Sequence, residues 1–209
     1  MTRHPDLRHE RKLWRSGVEA VAGVDEAGVG PMAGPVVAAA AIFAPEAFIK
    51  GVHDSKQLKA ERRSELYERI VAESLTWAVG VAEPVEIDQV NIYWATRLAI
   101  RRALAALAFE PAHVLIDGRE IASLVYPQTA IVAGDRKSFC IAAASIVAKV
   151  TRDRMMCEYE ARYPGYGFAQ HKGYCTPEHM AALRALGPSP IHRHSFAPVA
   201  EASQLALSL

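Results

Sequence analysis

The sequence predicts an α/β fold with an antiparallel hairpin near its start. Short β-rich runs alternate with longer amphipathic segments along most of the chain. A Gly/Pro-rich link at residues 28–34 joins the first two apolar runs and suits a hairpin-like turn. The 209 residues, about half of them hydrophobic, are enough to bury one substantial core. We therefore expect a single domain in which helices flank a sheet.

Most of the predicted strands are short and are followed closely by acidic residues. They cover residues 18–24, 35–43, 76–81, 113–116 and 129–132. The first strand ends at the pair Asp25-Glu26, and the fourth ends at Asp117-Gly118. The fifth is followed by Gly134-Asp135.

Helical periodicity predicts helices at residues 60–74, 84–108 and 138–162. A further helix is predicted after the N-cap Thr176, with Pro177 at its first position and Gly187-Pro188 after its end. Tyr93 and Trp94 lie in the second helix, and their simplest interpretation is as core residues. We expect residues 1–17 to be an extension that frays over residues 1–16, residues 18–199 to be the domain, and residues 200–209 to be a tail. The sequence does not decide whether this tail is a helix end or a docking peptide.

Composition excludes several classes of protein. No apolar run reaches the roughly 18 residues that span a bilayer, and the first 15 residues lack the apolar core of a signal peptide, so we expect a cytoplasmic protein. The three cysteines are widely spaced, which argues against a disulfide framework. The net charge is +1, but basic residues and histidines concentrate in residues 136–193. A basic face of this kind suits a phosphate backbone.

The acidic residues that follow strands suggest a metal site. Carboxylates at the ends of neighbouring strands can converge, and four of them together would repel one another unless protons or cations neutralised them. Oxygen ligands alone favour Mg²⁺ or Mn²⁺ over Zn²⁺. An acid after a strand is also a common turn residue or helix cap, and this alternative stays open for Asp117 and Asp135. It explains the adjacent pair Asp25-Glu26 less well.

Two other motifs could be taken for a zinc site and for a nucleotide-binding loop, but the sequence around them argues against both. The spacing of His171, Cys175 and His179 is interrupted by Pro177 and lacks a fourth ligand, so zinc is not expected. The glycines at residues 28–34 are followed by neither the Gly-Lys-Ser/Thr of a Walker motif nor the helix of a dinucleotide site. Glycines beside an acidic pair instead allow a ligand to approach the backbone closely, and a ribose 2′-hydroxyl is such a ligand.

Seven sequence segments together resemble the ribonuclease HII family. The longest are VAGVDEAGVGPMAGPVV at residues 21–37, AAASIVAKVTRD at residues 142–153 and YPGYGFAQHKGYCT at residues 163–176. The others are DSKQL at 54–58, LIDG at 115–118, GD at 134–135 and HRHSFAPV at 192–199. In this order they cover the chain from about residue 18 to residue 199.

The resemblance implies a ribonuclease H-like fold, a mixed central β-sheet flanked by helices, with a small C-terminal helical part. It implies four catalytic carboxylates that bind Mg²⁺ or Mn²⁺, at Asp25, Glu26, Asp117 and Asp135. Its triplet that reads a 2′-hydroxyl matches Gly28-Val29-Gly30, although Val29 replaces the family's arginine. The substrate-binding positions implied further are Tyr174 against a sugar at the RNA–DNA junction and Lys56 and Lys149 near phosphates. Asp153 matches a position whose role is expected to be structural.

The activity implied is cleavage of the RNA strand of RNA–DNA hybrids, and cleavage 5′ to ribonucleotides within duplex DNA. The nucleic acid is the expected partner, the protein is expected to be a monomer, and a replication partner stays open. Two alternatives remain. Ribonuclease HIII resembles this family but normally has a sizeable domain before the acidic pair, whereas 24 residues precede Asp25 here. A catalytically silent RNA–DNA binding module would explain Val29, but it would gain nothing from four clustered acids.

Overall fold

A five-stranded mixed sheet forms the centre of the computed structural model, which describes residues 4–122 and 124–207. Its strands are β1 (Val21–Ala27), β2 (Val36–Ile42), β3 (Thr76–Ala82), β4 (His113–Asp117) and β5 (Gln128–Ile131). They lie in the order β3-β2-β1-β4-β5. β1 pairs antiparallel with β2 and parallel with β4, which in turn pairs parallel with β5. The predicted α/β class and the hairpin near the start are confirmed.

Helices cover both faces of the sheet. The described helices are α1 (Arg8–Trp14), α2 (Ala60–Glu73), α3 (Pro84–Ala105), α4 (Phe139–Arg162), α5 (Phe168–His171), α6 (Pro177–Leu186) and α7 (Ala197–Leu207). α4 packs on β1 and β2 from one side, and α3 packs on β2 and β3 from the other. The last three helices form a small C-terminal part, as expected. None of the described helices is long and apolar enough to cross a membrane.

Small side chains bring both helices close to the sheet. A Cβ atom on Gly23 of β1 would lie 2.1 Å from the carbonyl carbon of Cys140 in α4. On Gly80 of β3 it would lie 2.1 Å from the carbonyl oxygen of Ala99 in α3. β2 contributes four consecutive buried alanines, which alternate between the two cores. The close approach of α4 lets residues from its first turns reach the strand ends.

The acidic pair lies inside β1 and not after it, so the predicted strand at residues 18–24 is shifted. β1 begins at Val21 and continues to Ala27, because its pairing with β2 continues to the pair Ala27 and Val37. Asp25 lies opposite Ala39, and Glu26 lies opposite Ala38. Since successive side chains point to opposite faces of a sheet, Asp25 faces α4 and Glu26 points towards α3.

The predicted fraying of residues 1–16 does not fit the contacts of α1. Glu10 in this helix is fully buried, and its carboxylate accepts hydrogen bonds from Ser138 Oγ at 2.6 Å and from the backbone N–H of Cys140 at 3.0 Å. The segment is thereby held at the first turn of α4, which has unpaired backbone N–H groups. Of the predicted extension, only residues 1–3 lie outside the described part of the chain.

Tyr93 and Trp94 are exposed, so their interpretation as core residues was wrong. Their exposed fractions are 54% and 52%. The reason is a break in α3 at Asn91, whose φ of 66° is not helical. The Asn91 side chain accepts hydrogen bonds from the N–H groups of Tyr93 and Trp94 and so restarts the helix with a different phase. Ala95 and Ala99 are the residues of the restarted helix that pack on the sheet.

The predicted tail is helical as far as the structure describes it. α7 includes residues 200–207, and Val199 in its first turn packs with Met32 and Leu183. Residues 208 and 209 lie outside the described residues. The tail is therefore the end of a helix that starts within the C-terminal part.

Candidate catalytic and nucleic-acid-binding site

Three of the predicted carboxylates lie at one edge of the sheet. Val24 of β1 is paired with Ile116 of β4, so Asp25 and Asp117 follow at neighbouring positions on two parallel strands. Both side chains point to the α4 face, because side chains of parallel neighbours in register share a face. Glu26 comes next along β1. The strand pattern suggested that these three and Asp135 can converge.

Asp135 is joined to this edge through the backbone. It lies in the 3₁₀ turn Gly134–Arg136, directly after the N–H group of Gly134, which donates a hydrogen bond of 2.6 Å to Asp117 Oδ1. The same turn contacts the loop after β2, because Arg136 binds the buried carboxylate of Asp54 with its Nε at 3.1 Å and Nη2 at 3.0 Å. The turn and the strand end are thus held together on two sides.

Burial and the charges of neighbouring carboxylates raise the pKa values of Asp25, Glu26 and Asp135. Burial raises the pKa of Asp25 well above its ordinary value, and the charges of Glu26 and Asp117 raise it further. Burial and the charge of Asp117 raise the pKa of Glu26 to about 7. The pKa of Asp135 is raised by burial and by the charges of Asp54 and Asp117. Negative charge is therefore concentrated here beyond what neighbouring groups neutralise.

Three cations partly oppose this charge. Lys56 lowers the pKa of both Glu26 and Asp135, Arg97 of α3 lowers that of Glu26, and Arg136 lowers that of Asp135. Sequence reasoning predicted Lys56 and missed Arg97. The available signal was weak: Arg97 follows Tyr93 at helical spacing, a pattern that is equally common on solvated helix faces.

The donor set fits a hard divalent cation. Asp25, Glu26, Asp117 and Asp135 offer carboxylate oxygens, the ligands that such cations prefer. The raised pKa values of Asp25, Glu26 and Asp135 mean that added positive charge would stabilise the ionised forms of these three groups. Among the residues that the structure describes, no three Asp, Glu, His or Cys side chains are arranged as a ready-made metal site. The four acids thus supply suitable chemistry at one edge, and their side chains would have to adjust to share an ion.

The predicted substrate-binding residues line one cavity beside the carboxylates. This cavity has a volume of about 390 Å³ and is open at one side. Its lining includes Glu26, Gly28, Val29, Gly30, Lys56, Lys149 and Tyr174. Arg63, which was not predicted, lines it too and donates to the backbone oxygens of Ser55 and Leu58 at 3.0 and 2.5 Å. Six separate substrate-binding predictions therefore meet in one basic, solvent-accessible cavity.

The two glycines of the loop differ in their surroundings. Gly28 has a φ of +94°, and a Cβ there would lie 2.1 Å from Arg152 Nε and 2.7 Å from the carbonyl oxygen of Pro35. Glycine is required at this position by the protein's own packing. At Gly30 the nearest atom to a Cβ would be Tyr174 Cε1, at 3.9 Å, which is an ordinary contact. The space above Gly30 is therefore open.

Two buried arginines hold the loop from below. Arg193 donates to the carbonyl oxygens of Gly28, Val29 and Gly34. Arg152 donates to those of Ala33, Pro35 and Lys172. Both guanidinium groups are at most 1% exposed, and burial lowers the pKa of Arg152 to about 10 and that of Arg193 to about 9. The carbonyls of Gly28 and Val29 thus point inwards.

The sequence matches the family described as ribonuclease HII over residues 22–199. The chain belongs to the ribonuclease HII family. Relatives with this name include one from Anaeromyxobacter sp. (strain Fw109-5), 55% identical over 96% of this chain, and one from Moorella thermoacetica, 56% identical over 90% of this chain. The chain spans 64% of the length of the first relative and 91% of the second.

Solved structures with a similar fold include two archaeal members. The ribonuclease H2 of Pyrococcus horikoshii OT3 has a TM-score of 0.76 and 27% identity, with 90% of this chain and 99% of that chain covered. The RNase HII in a PCNA complex from Archaeoglobus fulgidus has a TM-score of 0.67 and 26% identity, covering 85% and 95%. A Bst-RNase HIII in complex with Mn²⁺ shares the fold, with a TM-score of 0.70 at 20% identity, over 92% and 71% of the chains.

In this family member, Tyr174 is held by a chain of neutral histidines. Thr176 caps α6 by accepting a hydrogen bond from the N–H of His179, and the His179 ring contacts the carbonyl oxygen of Tyr174 through Nδ1 at 2.9 Å. Its Nε2 lies 3.1 Å from Nε2 of His192, whose Nδ1 accepts from the N–H of Ser189. These partners fix one proton on each ring. Because both His179 nitrogens are used in this way, the arrangement argues against the zinc site that the spacing suggested.

Lys149 reaches the cavity while paired with a carboxylate. Its Nζ lies 2.8 Å from Asp153 Oδ1, one helical turn further along α4. Asp153 also lies 3.6 Å from Arg63 Nη2 and does not line the cavity that contains the catalytic candidates. This placement supports the structural role expected for Asp153: it positions two cations at the cavity wall.

Proposed function

We propose that this ribonuclease HII family member is an endonuclease that cleaves the RNA strand of RNA–DNA hybrids and cuts 5′ to ribonucleotides in duplex DNA. The proposal is supported mainly by the position of the carboxylates next to a basic cavity. Glu26 lines the same basic cavity as the Gly28–Gly30 loop. Its neighbour Asp25 lies beside Asp117 on the adjacent parallel strand. A phosphodiester held in this cavity would lie next to the acids.

The chemistry assigned to the acids is metal-assisted hydrolysis. Two Mg²⁺ or Mn²⁺ ions held by Asp25, Glu26, Asp117 and Asp135 would activate a water molecule and stabilise the leaving 3′-oxygen, giving 3′-hydroxyl and 5′-phosphate ends. The protein contributes positioning. Lys56 and Lys149 attract the phosphates on the cavity side, and the hydrogen bond from Gly134 orients Asp117.

Recognition of ribose is assigned to the glycine loop. Arg193 already donates to the carbonyl oxygens of Gly28 and Val29, so these acceptors are in use. We therefore assign the backbone N–H groups of Val29 and Gly30 as the donors to a 2′-hydroxyl oxygen. Tyr174 lies beside Gly30 and is 45% exposed, so its ring is available to pack against the next sugar. A deoxyribose fits against such a ring better than a ribose, which locates the junction.

The proposal is tested with a duplex that carries one ribonucleotide, incubated with and without Mg²⁺ or Mn²⁺. We expect cleavage 5′ to the ribonucleotide only when the metal ion is present. Asp117→Asn should bind the duplex with nearly unchanged affinity and lose cleavage by a factor of at least about 100. Normal turnover by this variant would remove Asp117 from the mechanism. Binding without cleavage by the unaltered protein would favour a silent binding module instead.

The proposed activity implies a nucleic acid as the binding partner. The cytoplasmic location and the monomeric state are predictions from the sequence. The PCNA complex is a property of the Archaeoglobus fulgidus protein. For the present chain, association with a replication protein remains open to a direct binding measurement.

A further inference from the structure

Helix α3 carries a second exposed feature next to the carboxylates, the α3 surface, formed by Tyr93, Trp94 and Arg97. The Tyr93 and Trp94 rings lie 5.1 Å apart at 88°. The Arg97 guanidinium carbon lies 3.2 Å from the centre of the Tyr93 ring. Both aromatic side chains are about half exposed, so core packing explains neither.

The α3 surface opens onto a second cavity that shares residues with the candidate catalytic site. This cavity has a volume of about 290 Å³. Glu26 and Asp117 line it together with Tyr93, Arg97 and Arg119. The first cavity is lined by residues of α4, and α3 and α4 pack on opposite faces of the sheet, so the two cavities lie on different sides of Glu26. Glu26 therefore lies between two cavities that each contain cationic side chains.

The α3 surface is held in place before any ligand arrives. Asn91 caps the helix segment that carries it, with hydrogen bonds of 3.0 and 3.3 Å from the next residues. Arg97 is fixed by its own bond to the carbonyl oxygen of Tyr93, at 3.1 Å. One turn before the break, Asp88 accepts hydrogen bonds from the N–H groups of His194 and Ser195. Binding here would cost little side-chain entropy.

Charge and chemistry identify the occupant as a nucleic acid backbone. A guanidinium stacked on an aromatic ring still presents N–H groups at its edge, and Arg97 uses only Nη1 for the Tyr93 carbonyl, so Nε and Nη2 can donate to a phosphate. An exposed indole offers a flat surface for a sugar or base. Arg119 adds a second cation to the same cavity. Glu26 and Asp117 line this cavity as well, so a duplex whose scissile phosphate lies at these two carboxylates would come within reach of Arg97 and Arg119.

We propose that the α3 surface binds the sugar–phosphate backbone of the substrate duplex on the side of the carboxylates away from the glycine loop. Arg97 contacts a phosphate, and Trp94 packs against an adjacent sugar, while Tyr93 orients Arg97. This inference rests on the proposed function, because it takes the same duplex as the ligand. It adds a second contact region, so that the substrate is held on both sides of the cleaved bond.

The test measures cleavage and binding separately. Cleavage of a duplex with one ribonucleotide is compared for the unaltered protein, Tyr93→Ala, Trp94→Ala and Arg97→Gln. We expect KM to rise about tenfold for Trp94→Ala, with kcat changed less than about threefold, because stacking contributes binding and not bond cleavage. Affinity is then measured by fluorescence anisotropy in the Asp117→Asn background at several salt concentrations. Loss of one phosphate contact in Arg97→Gln should reduce the slope of log affinity against log salt by about one, whereas Trp94→Ala should leave it unchanged.

Two control variants make similar substitutions at positions outside the α3 surface. Phe109→Ala removes another half-exposed aromatic side chain, located before β4 at the opposite end of that strand. Arg162→Ala removes an exposed arginine at the far end of α4. It lies 17 residues after Ser145, which lines the first cavity, and this spacing corresponds to roughly 25 Å along the helix axis. Both should resemble the unaltered protein in KM and salt slope. Thermal unfolding midpoints of all variants show whether each one is folded.

The outcomes separate the inference from the proposed function. If the unaltered protein cleaves the duplex and the three α3 variants behave like the controls, the inference is overturned while the nuclease activity stands. If the unaltered protein binds the duplex without cleaving it, and binding still weakens in Trp94→Ala and Arg97→Gln, the α3 surface is supported and the proposed activity fails. A loss of kcat alone in Trp94→Ala, with KM unchanged, would also contradict a binding role.

Discussion

At the scale of single residues, the glycine loop combines two different reasons for glycine. Gly28 is required by Arg152 and Pro35 beneath it, whereas nothing in the protein crowds Gly30. An open position of this kind, beside an exposed tyrosine and above a fixed backbone, is what a closely approaching ligand needs. The two glycines can therefore be distinguished by mutation.

Gly30→Ala should fold normally and bind substrate poorly. The added methyl group meets only Tyr174 at 3.9 Å in the protein but occupies the space through which a 2′-hydroxyl would approach. We expect KM to rise at least about tenfold with an unchanged unfolding midpoint. Gly28→Ala is the contrasting variant and should lower the midpoint, because its Cβ meets Arg152 and its φ is +94°. Equal KM values for Gly30→Ala and the unaltered protein would show that the ligand does not approach there.

Val29→Arg should strengthen binding of the duplex. Val29 is 39% exposed at the mouth of the first cavity, and its carbonyl is fixed by Arg193, so a longer side chain can extend towards a phosphate without disturbing the loop. We expect a several-fold lower KM at low salt and a salt slope steeper by about one. Leu75→Arg adds the same charge at the opposite end of the sheet, before β3, and should change neither quantity. If both variants respond alike, general charge attraction and not a specific contact is responsible.

At the scale of secondary structure elements, hydrophobic periodicity predicted the positions of the elements along the chain well. It predicted less well which side chains of each element are buried. It identified the five strands and the helices α2, α3, α4 and α6 to within a few residues, since their apolar faces are buried in the two cores. It failed at Asn91 because one left-handed residue rotates the following helix, and periodicity assumes an unbroken one. Tyr93 and Trp94 were misplaced for this reason alone.

The same limit applies to the site. The acids that follow predicted strands suggested that Asp25, Glu26, Asp117 and Asp135 can converge. The parallel pairing of β1 with β4 places Asp25 beside Asp117, although Asp25 and Glu26 lie inside β1 and not after it. The contribution of Arg97 depends on the phase of α3 after its break, and that of Arg193 depends on how the C-terminal part packs. Neither is a local property of the chain. Helix α1 was missed for a similar reason, since its stability comes from burying Glu10 against α4.

Glu10→Ala should destabilise the protein through the start of α4. The change removes the acceptor for Ser138 Oγ and for the N–H of Cys140 and leaves both buried donors without it. We expect the free energy of unfolding to fall by about 2 kcal/mol. Lys12→Ala, an exposed change in the same helix, should have an effect of less than about 0.5 kcal/mol. Chemical denaturation measures both, and a similar small effect for the two variants would show that α1 frays as the sequence suggested.

At the scale of the whole molecule, the C-terminal part and the sheet edge are connected by the histidine chain and by the two arginines. Burial lowers the pKa of His179 to about 4, and burial together with the charge of His179 lowers that of His192 to about 4. His171 stacks on His179, with ring centres 4.1 Å apart, and adds to the repulsion when it is protonated. The folded protein therefore requires both buried rings to be neutral.

This requirement predicts a loss of stability in mild acid. Between pH 6.5 and about 4 the unfolded chain binds protons that these two rings exclude when folded, so stability is complete above pH 6.5 and falls as the pH is lowered through this window. One such histidine contributes a loss of about 2 kcal/mol at pH 5. Chemical denaturation at several pH values gives the free energy of unfolding as a function of pH. This free energy should depend less steeply on pH in His179→Gln than in the unaltered protein. His9→Gln removes a histidine outside the chain of rings and should leave the pH dependence unchanged.

The hydrogen bond from Arg193 to the carbonyl oxygen of Gly28 can form only late in the synthesis of the chain. These two residues are separated by 165 positions, so the loop emerges from the ribosome long before the side chain that fixes its carbonyls. A nascent chain that ends before residue 193 has the acids and the sheet strands but lacks the side chain that holds the Gly28 carbonyl. We compare ribosome-bound chains that carry the same C-terminal linker to fill the exit tunnel. We expect the chain that ends before residue 193 not to bind the duplex, and the chain that continues through residue 207 to bind it. Affinity acquired before Arg193 emerges would show that the loop takes up its shape unaided.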